Sequence, residues 1–295
     1  MFHMGRRGVT CVILVLIAAA AALHAQGGAR ERTLFVSAVD GKGEPVEGLS
    51  VNDFVVTEDG RRREVLRVSR AIEPIDIAIL VDNSAAAEGM ISVFRTALAK
   101  FVAKMADGNQ IAVVGLAARP TVLVDYTSSV RQLEQGVGRI FAQTNNGMTL
   151  LDALVETSTG LRRRETPRAV IVPIITDGVE FSNRYSRDVI AALREAGAGL
   201  HAVTIGNFPV ATDVQREREF TIAGGTRQTG GQRITLLTEL GLDEALQKLA
   251  RQLSSQYKVV YGRPESFLPP ETIEVESAKP GVTMRGTPAR GQTGA

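Results

Sequence analysis

The stretch Ile75-Asp76-Ile77-Ala78-Ile79-Leu80-Val81-Asp82-Asn83-Ser84 decides the fold. A run that is apolar save for Asp76 stops at a carboxylate, and a hydroxyl follows two residues later. Strands buried on both faces read as near-continuous apolar runs, as in parallel sheets, rather than alternating. Oxygen-bearing side chains at the carboxyl end of such a strand lie in the crevice where open α/β sheets bind ligands. Residues 169–175 repeat this grammar and end in Thr176-Asp177-Gly178. Both runs should be central strands, with Asp82 and Asp177 on one edge of one sheet. The bland alternative is that the two Asp residues only cap their loops by accepting backbone N–H bonds.

Working outward, strand and helix patterns alternate. Ile91, Phe94, Leu98, Phe101, Val102 and Met105 follow at helical spacing. Residues 110–116 and 120–124 read as two strands joined across Ala117-Ala118-Arg119. Ser128 or Ser129 caps an expected helix carrying Leu133, Val137, Ile140 and Phe141. Helices are expected over 150–161, 189–196 and 242–253, and strands over 200–205 and 257–261. Residues 207–227 read as a long polar loop. This alternation predicts an α/β fold with a doubly wound, mostly parallel central sheet flanked by helices. Before it, residues 33–73 read as a short antiparallel β segment, with a hairpin around Asp59-Gly60. The expected division is a signal peptide over 1–25, the β segment over 33–73, an α/β domain over 74–262 and an extension over 263–295. That extension holds weak strands at 272–276 and 282–285 and ends in about ten disordered residues.

The chain has 295 residues, a hydrophobic content of 44% and no Trp, so the core must be mainly aliphatic. The formal charge of +2 comes from Arg6 and Arg7, because no acid occurs in the first 25 residues. The remainder is electrically balanced, which argues against nucleic acid as a partner. Arg6-Arg7, the apolar stretch 9–22 and Leu23-His24-Ala25 form the pattern of a secretory signal, implying an exported, periplasmic or secreted protein. The alternative is an uncleaved anchor, although the apolar stretch is short for a bilayer span of about 20 residues. No second stretch of that kind follows, so no membrane span is expected in the mature chain. Cys11, the only cysteine, lies inside this leader, so thiol chemistry and disulfides are excluded from the mature chain.

Catalytic signatures are sparse. Of three histidines, only His201 lies outside the leader, and any Ser-His-Asp triad would have to use it. No Gly-x-Ser-x-Gly elbow and no Gly-x-x-x-x-Gly-Lys-Ser/Thr loop occurs. Arg162-Arg163-Arg164 with Arg168 reads as a helix C-terminal turn, where cations complement the dipole, in preference to an anion or membrane patch.

The residues resemble a known family. Asp82-x-Ser84 after an apolar strand, Asn145-Asn146-Gly147-Met148-Thr149-Leu150-Leu151-Asp152-Ala153-Leu154, and Ile175-Thr176-Asp177-Gly178 resemble the von Willebrand factor type A domain. With the flanks Gly43-x-Pro45-Val46-x-Gly48-Leu49, Glu58-Asp59-Gly60, Leu253-x-x-Gln256-Tyr257 and Lys279-Pro280-Gly281-Val282, the chain resembles in particular the exported bacterial VWFA-related proteins abundant in Acidobacteria. The resemblance implies a divalent cation, usually Mg²⁺, held by an Asp-x-Ser-x-Ser motif, a Thr of the Gly-rich loop and a strand-end Asp. In this chain those positions fall on Asp82, Ser84, Thr149 and Asp177. An open position on such a cation accepts an acidic side chain of a protein partner. The chain departs from the pattern twice: Ala86 stands for the second Ser, and Met148 for the Thr, with Thr149 one residue beyond. The resemblance therefore implies a degenerate adhesion site in a non-enzymatic interaction module. Asn83, Asn146, Phe181, Asn183 and Tyr185 are the expected partner-binding residues. The alternatives are a metal-independent scaffold module of a cell-envelope assembly and, far behind, a hydrolase.

Overall fold

The computed structural model describes residues 30–208, 210–264 and 270–289. The leader 1–25 and the tail 290–295 lie outside the described residues. Strands β1 (Arg30–Val39), β2 (Phe54–Glu58), β3 (Arg61–Arg63) and β4 (Val65–Arg70) come first. The α/β part follows as β5 (Ile75–Val81), α1 (Ile91–Met105), β6 (Gln110–Gly115), β7 (Thr121–Thr127), α2 (Val130–Gly138), α3 (Leu150–Arg164) and β8 (Arg168–Thr176). It continues with α4 (Ser186–Ala196), β9 (Ala198–Ile205), α5 (Asp213–Gln228), β10 (Gln232–Leu236) and α6 (Leu242–Ser254). The chain closes with β11 (Tyr257–Arg263), β12 (Ile273–Ser277) and β13 (Thr283–Pro288).

Six strands form the central sheet in the order β10-β9-β8-β5-β6-β7, parallel except for β7. Every residue of β5 and β8 is buried, as their near-continuous apolar runs require, with Asp76 and Arg168 the charged exceptions. Successive β5 side chains point to opposite faces. Ile75, Ile77, Ile79 and Val81 join α1, α2 and α6 in one apolar layer. Ala78 and Leu80 join α3, α4 and α5 in the other. From β5 the chain moves outward to β6 and β7, then returns to β8 on the opposite side. The order reverses between β5 and β8, and this is the topological switch point where such sheets build their crevice.

Asp76, the charge inside the apolar run, is buried and accepts a 2.6 Å bond from Arg164 Nε, whose guanidinium lies over the Tyr126 ring. Arg162 meets Glu195. The arginine cluster thus sits in the last turn of α3, as its dipole favours.

The remaining strands make two antiparallel sheets, β13-β1-β11-β4 and β12-β2-β3. The β2–β3 hairpin turns at Asp59 and Gly60, both with positive φ, as an Asp-Gly turn requires. The strand expected to close the α/β domain, β11, pairs instead with β1 and β4. These sheets enclose their own apolar core, including Leu34, Val36, Phe54, Tyr257 and Tyr261. Arg168, at the start of β8, ties the layers together. It donates to the carbonyls of Glu73 and Leu253 and to Gln256 Oε1, and its guanidinium lies 5.1 Å from the Phe35 ring.

Three expectations are corrected. Residues 213–228 are not loop but helix α5, opened by a capping box between Thr212 and Gln215. Its buried face is Arg218, Thr221, Ile222, Gly225 and Thr226, so apolar periodicity is missing although the helix packs. Helix α2 stops at Gly138, so Ile140 and Phe141 lie beyond it. Residues 286–288, expected to be disordered, complete β13.

Candidate functional site

The switch point brings together the segments after β5 and β8 and the Gly-rich loop before α3. Asp82 is fully buried. Its Oδ1 accepts the Ser84 N–H at 2.8 Å, and its Oδ2 accepts the Thr176 N–H at 3.2 Å and the Thr176 hydroxyl at 2.5 Å. The carboxylate therefore clamps the ends of β5 and β8 together. Ser84 is buried and its Oγ has no hydrogen-bond partner. Gly178 lies against it: a Cβ there would stand 3.3 Å from Ser84 Oγ and 2.9 Å from Ala86 Cβ. Asp177 is exposed at the rim, with its carboxylate beside Gly206.

The Gly-rich loop is stitched to the segment after β8. The Met148 N–H donates to the Val179 carbonyl, and the Phe181 N–H donates to the Met148 carbonyl, both at 2.8 Å. Met148 is completely buried. Thr149 does not reach the crevice rim; its hydroxyl donates to the Leu116 carbonyl at 2.9 Å. Asn83, expected at a partner surface, is only 4% exposed. Its Oδ1 accepts the Ala117 N–H and its Nδ2 donates to the Phe141 carbonyl, so it braces the loops after β6 and α2. Asn146 is half-buried and accepts the Ala85 N–H on its carbonyl. Asn183 is exposed, and Val179, Phe181 and Tyr185 are 59%, 58% and 63% exposed.

Two residues were missed by the sequence reading. Glu180 is buried; its Oε1 accepts the Ser182 N–H, its Oε2 has no partner, and burial pushes its carboxyl up to about 7. The Ser182 hydroxyl accepts the Asp152 N–H, so this segment also caps α3. Arg218 of α5 donates to the Gly178 carbonyl at 2.7 Å, while its Nε and Nη2 have no partner. Its guanidinium lies 4.9 Å from the Phe208 ring. A lone Arg in a charged stretch, Arg216-Glu217-Arg218-Glu219, carries no signal that distinguishes it from a solvated face.

These donors do not fit a resident Mg²⁺. A hard divalent cation of this size wants about six oxygens. The positions implied by the resemblance supply an unpartnered Ser84 hydroxyl, an exposed Asp177 and an Asp82 whose two oxygens already accept three bonds. Ala86 has no oxygen, Met148 offers a buried thioether, and Thr149 faces Leu116. Among the described residues, no three His, Cys, Asp or Glu side chains converge.

His201 lies within β9, is buried, and its Nδ1 has no partner. Burial, with Arg285 adding to it, pushes its imidazole down to about 3. It is therefore held neutral, away from the strand ends.

Residues 77–180 match the family model for the von Willebrand factor type A domain. A von Willebrand factor type A structure from Catenulispora acidiphila aligns with 90% of this chain and 64% of its own, at 14% identity and a TM-score of 0.50. The von Willebrand domain of the type V pili tip protein Mfa5 from Porphyromonas gingivalis aligns with 62% of this chain and 96% of its own, at 12% identity and a TM-score of 0.48. Proximal thread matrix protein 1 from the mussel byssus, with a zinc-occupied MIDAS motif, aligns with 67% of this chain at 15% identity and a TM-score of 0.49. The chain spans 64% of the Catenulispora protein and 49% of the mussel protein. No curated protein matches the chain. The α/β part has the von Willebrand factor type A fold.

Proposed function

We propose that the chain is an exported, non-enzymatic interaction module that binds a protein partner at the carboxyl edge of its central sheet. The observation that carries this reading is the apolar platform after β8. Val179, Phe181 and Tyr185 are exposed together, and the backbone bonds of Met148 to residues 179 and 181 fix the segment that presents them. Phe181 also packs over Gly147, where a Cβ would come within 3.0 Å of its ring. Exposed aromatics on a rigid frame suit protein recognition, because they bury large area at low entropic cost. Asn183 and Asp177 supply the polar rim. The leader pattern of residues 1–25 supports export. The buried His201 and the lack of a nucleophile elbow support a non-catalytic role.

The test is a Phe181→Ser/Tyr185→Ser double variant in pull-downs from cell-envelope extract. The variant should melt like the parent, because both side chains are exposed, and should lose the captured partner. Full retention of the partner would refute the platform and favour a scaffold role through another face. Fluorophosphonate labelling of a serine would instead favour a hydrolase.

A further inference from the structure

Helices α4 and α5 lie on one face of the central sheet, and an open groove of about 520 Å³ runs between them. Residues three, four and seven apart share a helix face. On α4 that spacing lines up Arg187, Ile190 and Arg194 along the groove. On α5 it lines up Phe220, Ala223, Gly224 and Arg227. The floor between the arginines is therefore apolar. Gly224 leaves room for Ile190: a Cβ there would stand 2.8 Å from Ile190 Cδ1. Phe220 is 57% exposed and borders the same groove.

The charge along this groove has one sign. Among the described residues, three arginines line it and no acidic side chain does. Arg227 is exposed and has no ion-pair partner among the described residues. Arg194 Nη2 donates to the carbonyls of Pro270 and Glu271, which orient the guanidinium without a carboxylate to balance it. Arg187 lies 3.4 Å from Asp188, with both side chains exposed, and such pairs contribute little. The acids of the neighbouring turns are engaged elsewhere. Glu195 pairs with Arg162, Glu219 pairs with Arg233, and Glu217 accepts the Ser186 N–H. A groove of this pattern fits its opposite, an apolar stripe bordered by carboxylates. Arg187 and Arg194 stand about two helical turns apart, so carboxylates seven residues apart on a third helix can meet both at once. An apolar groove between two helices seats such a helix at about 8–10 Å from each.

We propose that the α4–α5 groove docks an acidic amphipathic helix of a protein partner, with its apolar stripe on Ile190 and Phe220 and its carboxylates beside Arg187, Arg194 and Arg227. The groove shares no lining residue with the platform Val179, Phe181 and Tyr185, so failure of either reading leaves the other standing.

The probes are two fluorescein-labelled peptides of about 18 residues, five helical turns, each with a Leu stripe at helical spacing. One carries Glu on both borders of the stripe, and its twin carries Lys. In polarisation titrations the parent should bind the Glu peptide with a Kd of about 10 μM, and the Lys twin about tenfold more weakly or worse. The preference should shrink at high salt. Arg187→Glu/Arg227→Glu should reverse the preference, and Phe220→Ser should weaken the Glu peptide about tenfold. All three side chains are exposed, so these variants should melt like the parent. Arg131→Gln, an exposed arginine on α2 across the sheet, should bind like the parent. No binding of the Glu peptide up to about 1 mM, or equal binding of the twins, would overturn the proposal. An unreversed preference in the double variant, or undiminished binding by Phe220→Ser, would overturn it too. Sedimentation and vesicle pelleting close the test. A parent dimer that Phe220→Ser dissociates would assign the groove to a second copy. Binding to phosphatidylglycerol vesicles that the double variant loses, with the Glu peptide ignored, would assign it to a lipid surface. Either result overturns the proposal.

Discussion

Glu180→Gln should make the protein more stable at neutral pH, by an amount that depends on pH in a defined way. Glu180 is buried in the segment after β8, and burial is the main reason its carboxyl is pushed up to about 7 from 4.5. The unfolded chain releases that proton near 4.5, while the folded chain holds it up to about 7. Unfolding therefore releases a proton throughout this window, and stability falls as pH rises through it. Below the window both states are protonated, and above it both are ionised, so the dependence flattens at each end. The gap of about 2.5 pH units, at about 1.4 kcal/mol each, is worth about 3 kcal/mol. Gln is indifferent to pH and still accepts the Ser182 N–H. The assay is urea denaturation of parent and variant across about pH 4 to 8. The difference between the two curves isolates Glu180, because every other titrating group cancels. The parent should lose about 3 kcal/mol relative to the variant between the two ends. A flat difference, or a parent that gains on the variant as pH rises, would refute the argument.

His201 gives the mirror-image case. Its imidazole is pushed down to about 3 from 6.5, so the unfolded chain takes up a proton that the folded chain refuses, and stability is lost as pH falls through that window. His201→Gln should remove this loss, as judged from denaturation midpoints at pH 4 to 7. Arg168→Met should cost about 3 kcal/mol, because it strands the carbonyls of Glu73 and Leu253. Limited proteolysis should then cut first around β1 and β11, the strands that this residue ties to β8. Gly231→Ala should cost about 3 kcal/mol, since its Cβ would stand 1.8 Å from the Leu200 carbonyl oxygen. Gly160→Ala, in an open part of α3, should instead stabilise by about 0.5–1 kcal/mol in thermal melts.

The central sheet was legible because β5 and β8 announce themselves: a doubly buried strand reads as a near-continuous apolar run, and in both a carboxylate follows the run. Helix α5 was not legible because its packed face carries Arg218, two Thr and a Gly, which no hydropathy pattern distinguishes from loop. The pairing of β1 with β11 and β13 was equally hidden, since strand neighbours that far apart leave no local trace. At the site, Asp82, Ser84 and Asp177 were singled out by their strand-end positions; the structure sets Ser84 against Gly178, bonds Asp82 to Thr176 and leaves Asp177 exposed at the rim. Asn83 and Thr149 were read as outward-facing because sequence gives residue type but not side-chain direction. Both turn inward to hold backbone groups that would otherwise be buried without partners.

Strand β1 lies between β11 and β13, with Arg32 opposite Tyr261 and Val36 opposite Gly286. Both neighbours lie far downstream of it in the sequence. While the chain is being synthesised, β1, with its apolar residues Leu34, Phe35, Val36, Ala38 and Val39, waits as an unpaired strand until β11 and β13 follow. Long-range pairing of this kind is slow and leaves the waiting strand open to other chains. Completion of this sheet is thus timed by the arrival of β11 and β13. A truncation before Thr283 would leave a permanent open edge on β1, where a second copy could add a strand.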